Sequence, residues 1–192
     1  MTAERRRIFY FCHRHNHPRG NQKHTYRHVN ILNAHGWQAW AFHPGEDFRL
    51  TWFANQTAVL SESAFHRTFR PGHDIVVLPE DLGPTIIDFP GPKVIFNKNL
   101  FTGMQALGPP DELCFDPYLC SDLLGVFAVS DHNRELLQLA YPHLPVFRVD
   151  VEIDTEIFRY RPLAEKAPLI ALSPKVPEQV LALYHLARAR GE

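Results

Sequence analysis

No stretch of this chain is apolar for long enough to cross a bilayer, so the sequence offers no membrane-spanning helix. The start, "MTAERRRIFYFC", has basic residues, but the apolar run behind them is short and ends in His-Arg-His, a poor signal peptide. Cysteine is scarce. Cys12, Cys114 and Cys120 are the only three, and no two stand in a C-x-x-C pair. An odd count without paired spacing speaks against a disulfide framework and for a reducing, cytoplasmic setting. Charge of one sign is also lacking. Twenty Lys and Arg face 21 Asp and Glu, leaving a formal net charge of −1. That balance argues against a nucleic-acid partner held by bulk charge, and leaves room for a local basic patch. Several signatures are missing outright. Without H-E-x-x-H the commonest catalytic zinc pattern is gone. Without G-x-G-x-x-G or G-K-[ST] a dinucleotide site or a P-loop is disfavoured, and without G-x-S-x-G a serine hydrolase reading fails.

What is present is a succession of short apolar runs punctuated by proline. The 192 residues suffice for one core and a small additional piece. "IFYFC" (8–12) reads as a buried strand. The segment from Asn21 to Gly36 reads as an amphipathic helix stopped by that glycine, and "WQAWAFHP" (37–44) as a second strand. Strand, loop, helix, strand is the unit that builds a parallel sheet. Residues 45–72 have no clear period; "RLTWFANQTAVL" fits an edge strand or a poorly packed helix equally well. "HDIVVLPE" (73–80), "GPKVIFNKN" (91–99), "GVFAVS" (125–130) and "PVFRVDVEI" (145–153) read as further strands. The segment 81–90 has room for a turn or short helix, and 100–122 is loop-like. "DHNRELLQLAYP" (131–142) reads as a helix capped by Ser130 or Asp131 and ended by Pro142. The fold class expected is α/β, a Rossmann-like open parallel sheet with helices on both faces. Residues 1–153 form that domain. The charged, aperiodic stretch 154–168 suits a linker, and 169–192 supplies a strand and a helix too small for a core of their own.

The conspicuous segment is "FCHRHNHPRGNQKH" (11–24). His13, His15 and His17 alternate, and a continued strand would point all three to one side, as zinc ligands require. Pro18 and Gly20 break any such strand, and Cys12 falls on the opposite side. The better expectation is a basic loop at the carboxyl end of the first strand, with no metal. In open parallel sheets ligands bind beyond those carboxyl ends, near the point where strand order reverses. Gly20 and Asn21 would let a ligand approach the backbone, and Lys23 and His24 would add positive charge near the helix start. The other strand ends are polar as well. Glu80 and Asp81 follow one strand, Asn97, Lys98 and Asn99 the next, and Ser130, Asp131 and Asn133 the last. Met on one rim, such groups suit a polyhydroxylated ligand bound through directional hydrogen bonds. Ser130 and Asp131 serve equally well as a helix cap.

In "PRGNQKHTYRHVNILNAHGWQAWAFHP" the chain resembles the first glycine-rich loop and helix of GT-B fold glycosyltransferases of the family 4 type. "HDIVVLPE", "GPKVIFNKN" and "GVFAVSDHNRELL" resemble later strands of the same acceptor-side domain. "VEIDTEIFRYRP" is similar to the crossing into the second domain: Asp154 and Phe158 keep the spacing, Pro162 comes two residues late, and Val151-Glu152 stands where Asn-Gly is usual. "LIALSPK" (169–175) looks like the opening of the donor-side domain. The family's loop often has Gly-Gly where this chain has Gly20-Asn21. Many members carry a histidine where this chain offers Asn97 and Asn99, neither a comparable acid or base. The resemblance implies the acceptor-binding N-terminal half of a nucleotide-sugar-dependent, retaining enzyme without an essential metal or other cofactor. It would bind a sugar-containing or other small-molecule acceptor, with donor phosphates held mainly by a C-terminal domain beyond Glu192. Residues 1–192 alone are then expected to be inactive. The last helix, with Leu183 and Tyr184 uncovered, is expected to self-associate. Two alternatives stay open: a stand-alone carbohydrate- or ligand-binding regulatory module, and a metal-dependent enzyme built on the histidine cluster.

Overall fold

In a computed structural model the chain divides into two compact units, Met1–Val151 and Glu152–Glu192. The structure describes residues 6–108, 115–151, 153–167 and 177–190. The first unit is an α/β domain around a seven-stranded, all-parallel sheet. Its strands are β1 (Arg7–Phe11), β2 (Gln38–His43), β3 (Val59–Ser61), β4 (Ile75–Pro79), β5 (Lys93–Asn97), β6 (Leu123–Ala128) and β7 (Val146–Arg148). They lie in the order β3-β2-β1-β4-β5-β6-β7, so the direction of winding reverses between β1 and β4. This is the Rossmann-like open sheet expected from the alternation of apolar runs and helical segments.

Both faces of the sheet are covered, because successive side chains along each strand point to opposite sides. Phe9, Phe11, Phe42, Val76, Leu78, Ile95 and Val126 pack on one face. There they meet Phe65 of α2 (Glu62–Thr68), Leu100 of α3 (Leu100–Ala106) and Leu137 of α4 (Asp131–Ala140). Tyr10, Ala39, Ala41, Val77, Val94 and Phe96 pack on the other, against Tyr26 and Val29 of α1 (Gly20–Ala34). Phe42 and Phe65 stack at a 4.0 Å centroid distance and 2° between planes, which fixes α2 on the sheet. Helix α1 ends as the sequence suggests. Gly36 takes φ +76°, its N–H bonds Asn33 O, and Trp37 N–H bonds Leu32 O.

Three segments differ from the sequence expectation. Part of 100–122 is helical: Asn99 caps α3 by accepting from the Thr102 N–H, and a short 3₁₀ turn covers Pro117–Leu119. Of the two elements considered for 49–60, the edge strand forms, but only from Val59 and Leu60, which open β3 at one edge of the sheet. Residues 49–58 are an irregular segment tied by Asn55 Nδ2 to the carbonyls of Leu50 and Phe53 and by Arg49 to Thr57 O. The strand expected over 145–153 is cut to three residues. Val146 is buried, whereas Phe147 and Val151 are exposed at the sheet edge. In the second unit, Leu163–Glu165 is a 3₁₀ turn and α5 runs Pro177–Ala189, with Leu183 and Tyr184 about half exposed. The strand expected over 169–175 lies outside the described residues. Among the described residues no helix is long and apolar enough to cross a membrane.

Candidate functional site at the carboxyl edge of the sheet

Strands β1, β4 and β5 end side by side at the reversal of strand order, and the polar residues that follow them meet there. Strand β1 stops at Phe11, so the histidines after it never form a strand row. His13 instead turns to the neighbouring strand end, where its Nε2 lies 2.8 Å from Asp81 Oδ1. Its ring stacks near His15, with centroids 6.0 Å apart and planes at 21°. His15 and His17 are exposed. Among the described residues no three His, Cys, Asp or Glu side chains converge as metal ligands do.

Gln22 holds this loop. It is almost fully buried, and its Nε2 donates to the carbonyls of His13, at 2.8 Å, and His15, at 2.9 Å. Sequence reasoning passed over Gln22, although the signal was present. It lies one helical turn before Thr25 and Tyr26 and two before Val29, the buried stripe of α1. A polar side chain on that stripe needs partners, and the loop carbonyls supply them.

Lys98 is the second anchor. Its Nζ donates to Asn21 O at 3.2 Å and Thr25 Oγ1 at 3.0 Å, and it lies 4.5 Å above the Phe96 ring. Burial pulls its pKa down, against the opposing charges of Glu80, Cys12 and Asp81. Burial pushes the Cys12 thiol up to about 12, with Lys98 opposing, so this thiol is not a nucleophile at neutral pH. Burial likewise raises the Glu80 carboxyl, although its Oε1 accepts from the Asn99 N–H at 2.7 Å. Asp81 goes the other way. Burial raises it, but the hydrogen bond and charge of His13 and the charge of Lys98 more than offset that. Two adjacent carboxyls are thus pushed apart, Glu80 toward the acid and Asp81 toward the ion. A small cavity of about 10 Å³, room for one water, lies among His13, Gln22, Thr25, Pro79 and Lys98.

The other residues singled out from the sequence are distributed as follows. Gly20 is the exposed first residue of α1. A Cβ there would meet nothing nearer than His24 Nε2 at 3.9 Å, so a ligand has open access to this backbone. Asn21 turns its Oδ1 to the Gln22 N–H at 2.8 Å. The Lys23 ammonium lies 5.8 Å from the Phe53 ring centre. His24 is partly buried on α1. Asn97 is fully buried beneath the rim. Its Nδ2 donates to Tyr118 Oη at 2.8 Å, and its Oδ1 accepts from Asn133 Nδ2 at 3.3 Å. Asn99 is exposed and caps α3. Ser130 caps α4 by accepting from the Asn133 N–H at 3.2 Å, and Asp131 pairs with Arg134 and Arg148. The structure therefore gathers Gly20, Asn21, Glu80 and Asn99 with His13, Asp81 and Lys98 around the ends of β1, β4 and β5. Ser130 and Asp131 are engaged within α4 and with β7. Replacing Ser130 by alanine should cost about 1 kcal/mol, the ordinary price of a lost N-cap, measurable as a lower denaturant midpoint.

The chain was compared with protein-family models, with curated proteins and with solved structures, and none of the three comparisons gave a match.

Proposed function

We propose that this chain is the acceptor-binding N-terminal portion of a nucleotide-sugar-dependent glycosyltransferase. The observation that carries the reading is the set of polar residues that meet at the reversal of strand order. There Gly20 leaves the backbone open, Lys98 ties the helix start to the sheet, and His13, Glu80, Asp81 and Asn99 crowd one rim. Open parallel sheets bind ligands at this place. The side-chain set favours a neutral, hydroxyl-rich molecule over a phosphate. Carboxyl, amide and imidazole groups accept hydrogen bonds from hydroxyls, and Lys98 spends its charge on protein oxygens. Sugar transfer would need a second domain to hold the nucleotide and to close over the acceptor, excluding water. Cys12 is unsuited to covalent chemistry, which fits a half that binds and positions.

The test is a ligand-observed NMR screen of the 192-residue chain. The panel holds mono- and oligosaccharides, their alkyl glycosides, and uridine and guanosine diphosphates. Saccharide signals should show saturation transfer and the free nucleotides should not, and the chain alone should transfer no sugar. Nucleotide binding without saccharide binding would refute the reading.

A further inference from the structure

A cleft lies beside β3, the last strand of the sheet on its side and two strands away from β1. Residues 45–49 run next to this strand in the opposite direction and are fastened to its two ends. At the carboxyl end, Gly45 N–H donates to Glu62 Oε2 at 2.8 Å, and Ser63 N–H donates to Glu46 Oε1 at 3.3 Å. At the amino end, Arg49 Nη1 donates to Thr57 O at 2.8 Å and to Asn55 Oδ1 at 3.1 Å. Between these fastenings no backbone hydrogen bond joins 47–49 to 59–61 among the described residues. A cavity of about 350 Å³ separates them instead. Asp47, Phe48 and Arg49 line one side of it, and Val59, Leu60 and Ser61 the other. That volume lies in the range of roughly 300–1,000 Å³ that small-molecule sites occupy.

The lining carries one charge of each sign with an aromatic ring between them in sequence. Arg49 spends both hydrogens of Nη1 on Asn55 and Thr57, which fixes the plane of its guanidinium. Its Nε and Nη2 have no partner among the described residues, and together they form the edge that grips a carboxylate by two parallel bonds. Asp47 is exposed, and its carboxylate has no partner among the described residues. Phe48 is held in place: the His43 ring meets it at 4.7 Å and 71°, and the Arg14 guanidinium lies 5.5 Å from its ring centre. Val59 and Leu60, both partly buried, supply apolar surface across the cavity. A ligand suited to this lining brings an anion for Arg49, a cation for Asp47 and an apolar body. A sugar brings neither charge. A phosphate brings only the anion and would face Asp47 at a cost. A zwitterion brings both.

We propose that the cleft between 47–49 and β3 is a second ligand site, which binds an amino-acid zwitterion with an apolar side chain. The ligand is a free α-amino acid or a short peptide with both ends free. Its carboxylate pairs with Arg49, its ammonium with Asp47, and its side chain packs among Phe48, Val59 and Leu60. For a peptide, the second backbone edge of β3, which has no strand partner, adds main-chain hydrogen bonds. This site is separate from the strand ends of β1, β4 and β5 and does not depend on the acceptor-side reading.

Amide shift mapping of the ¹⁵N-labelled 192-residue chain tests it, with L-leucine and L-leucyl-L-leucine as probes. Saturable shifts are expected at 47–49 and 59–61, and the tighter of the two probes tells amino acid from peptide. N-acetyl-L-leucine lacks the ammonium and L-leucinamide lacks the carboxylate. Each should bind the wild-type chain about 10-fold more weakly than L-leucine, or weaker still, the effect of one lost charge-assisted hydrogen bond. This comparison needs no variant. Asp47→Gly adds a second one. Asp47 sits at φ +47°, a conformation glycine adopts freely, so the variant keeps its backbone. In it the advantage of L-leucine over N-acetyl-L-leucine should vanish. No saturable shift at these six residues with either probe would overturn the proposal. So would N-acetyl-L-leucine or L-leucinamide binding the wild-type chain as tightly as L-leucine. Saccharides should leave these amides still, so the outcome here and that of the saccharide screen are read independently.

Discussion

Gly83→Ala is expected to destabilise the first unit by about 3 kcal/mol or more, the largest effect of any single methyl addition on this rim. Two costs add at this position. Gly83 sits at φ +53°, where an L side chain costs about 1–2 kcal/mol. A Cβ there would also fall 2.4 Å from Ala106 O and 3.0 Å from Ala106 C, inside any real contact. Ala106 is the last residue of α3, so relief requires that helix to move away from the turn Glu80–Asp88. A Cβ added at Gly103 of α3 would lie 3.2 Å from Asn97 Nδ2 and Glu80 Cβ, so this helix runs close to both residues and its displacement would reach the candidate site. Urea titration should show a lower midpoint with an unchanged slope, together with weaker saccharide binding. A midpoint shift below about 1 kcal/mol would mean that the helix yields easily, contrary to this packing.

Asp74→Ala should be nearly as damaging, costing about 3–5 kcal/mol, the range for breaking a buried ion pair from one side. The Asp74 side chain is fully buried before β4, and it accepts from Arg7 Nε at 3.0 Å and Arg7 Nη2 at 2.5 Å. The Arg70 N–H adds a bond at 2.7 Å, and His73 Nδ1 lies 3.1 Å away. Arg7 also donates to Thr68 O, so the group joins β1, the end of α2 and β4. Burial raises the Asp74 pKa, and the hydrogen bonds from Arg7, His73 and Arg70 more than offset that, so the carboxyl titrates below its ordinary value. A depressed carboxylate contributes stability in full above its unfolded pKa, about 3.9, and loses it as pH falls through the lower folded value. The wild-type chain should therefore lose stability steeply on the acid side of about pH 4, and Asp74→Asn should flatten that limb. Equal acid slopes for the two proteins would show that Asp74 does not carry it.

The sheet was legible because its determinants are local. Each strand is a short apolar run with proline or glycine at its margins, as at Pro71-Gly72 before β4 and Pro79 at its end. The cap of α4 at Ser130 was legible for the same reason. Helix α3 was not, because it is only seven residues long and depends on the clearance at Gly103 and Gly83, a tertiary matter. The convergence of strand-end residues followed from parallel topology alone, which brings Lys98 and Asp81 beside the histidine loop. Which of them touch did not follow. The His13–Asp81 contact depends on the strand stopping at Phe11 and on Gln22 pulling the loop down, neither visible as a motif. Asn97, chosen for its place at a strand end, has its side chain turned beneath the rim toward Tyr118 and Asn133, because alternation along β5 decides the face and strand position does not.

A hydroxyl-rich ligand is proposed to sit at the carboxyl edge between β1, β4 and β5. Backbone amide shift mapping of the 192-residue chain, titrated with a saccharide that shows saturation transfer, tests it most directly. Shifts should cluster at residues 12–24, at Glu80 and Asp81, and at Lys98 and Asn99. The amides at the amino ends of the strands, Arg7, Asp74 and Lys93 among them, should stay still. Shifts centred on those amino ends, or on the β3 edge, would contradict the claim.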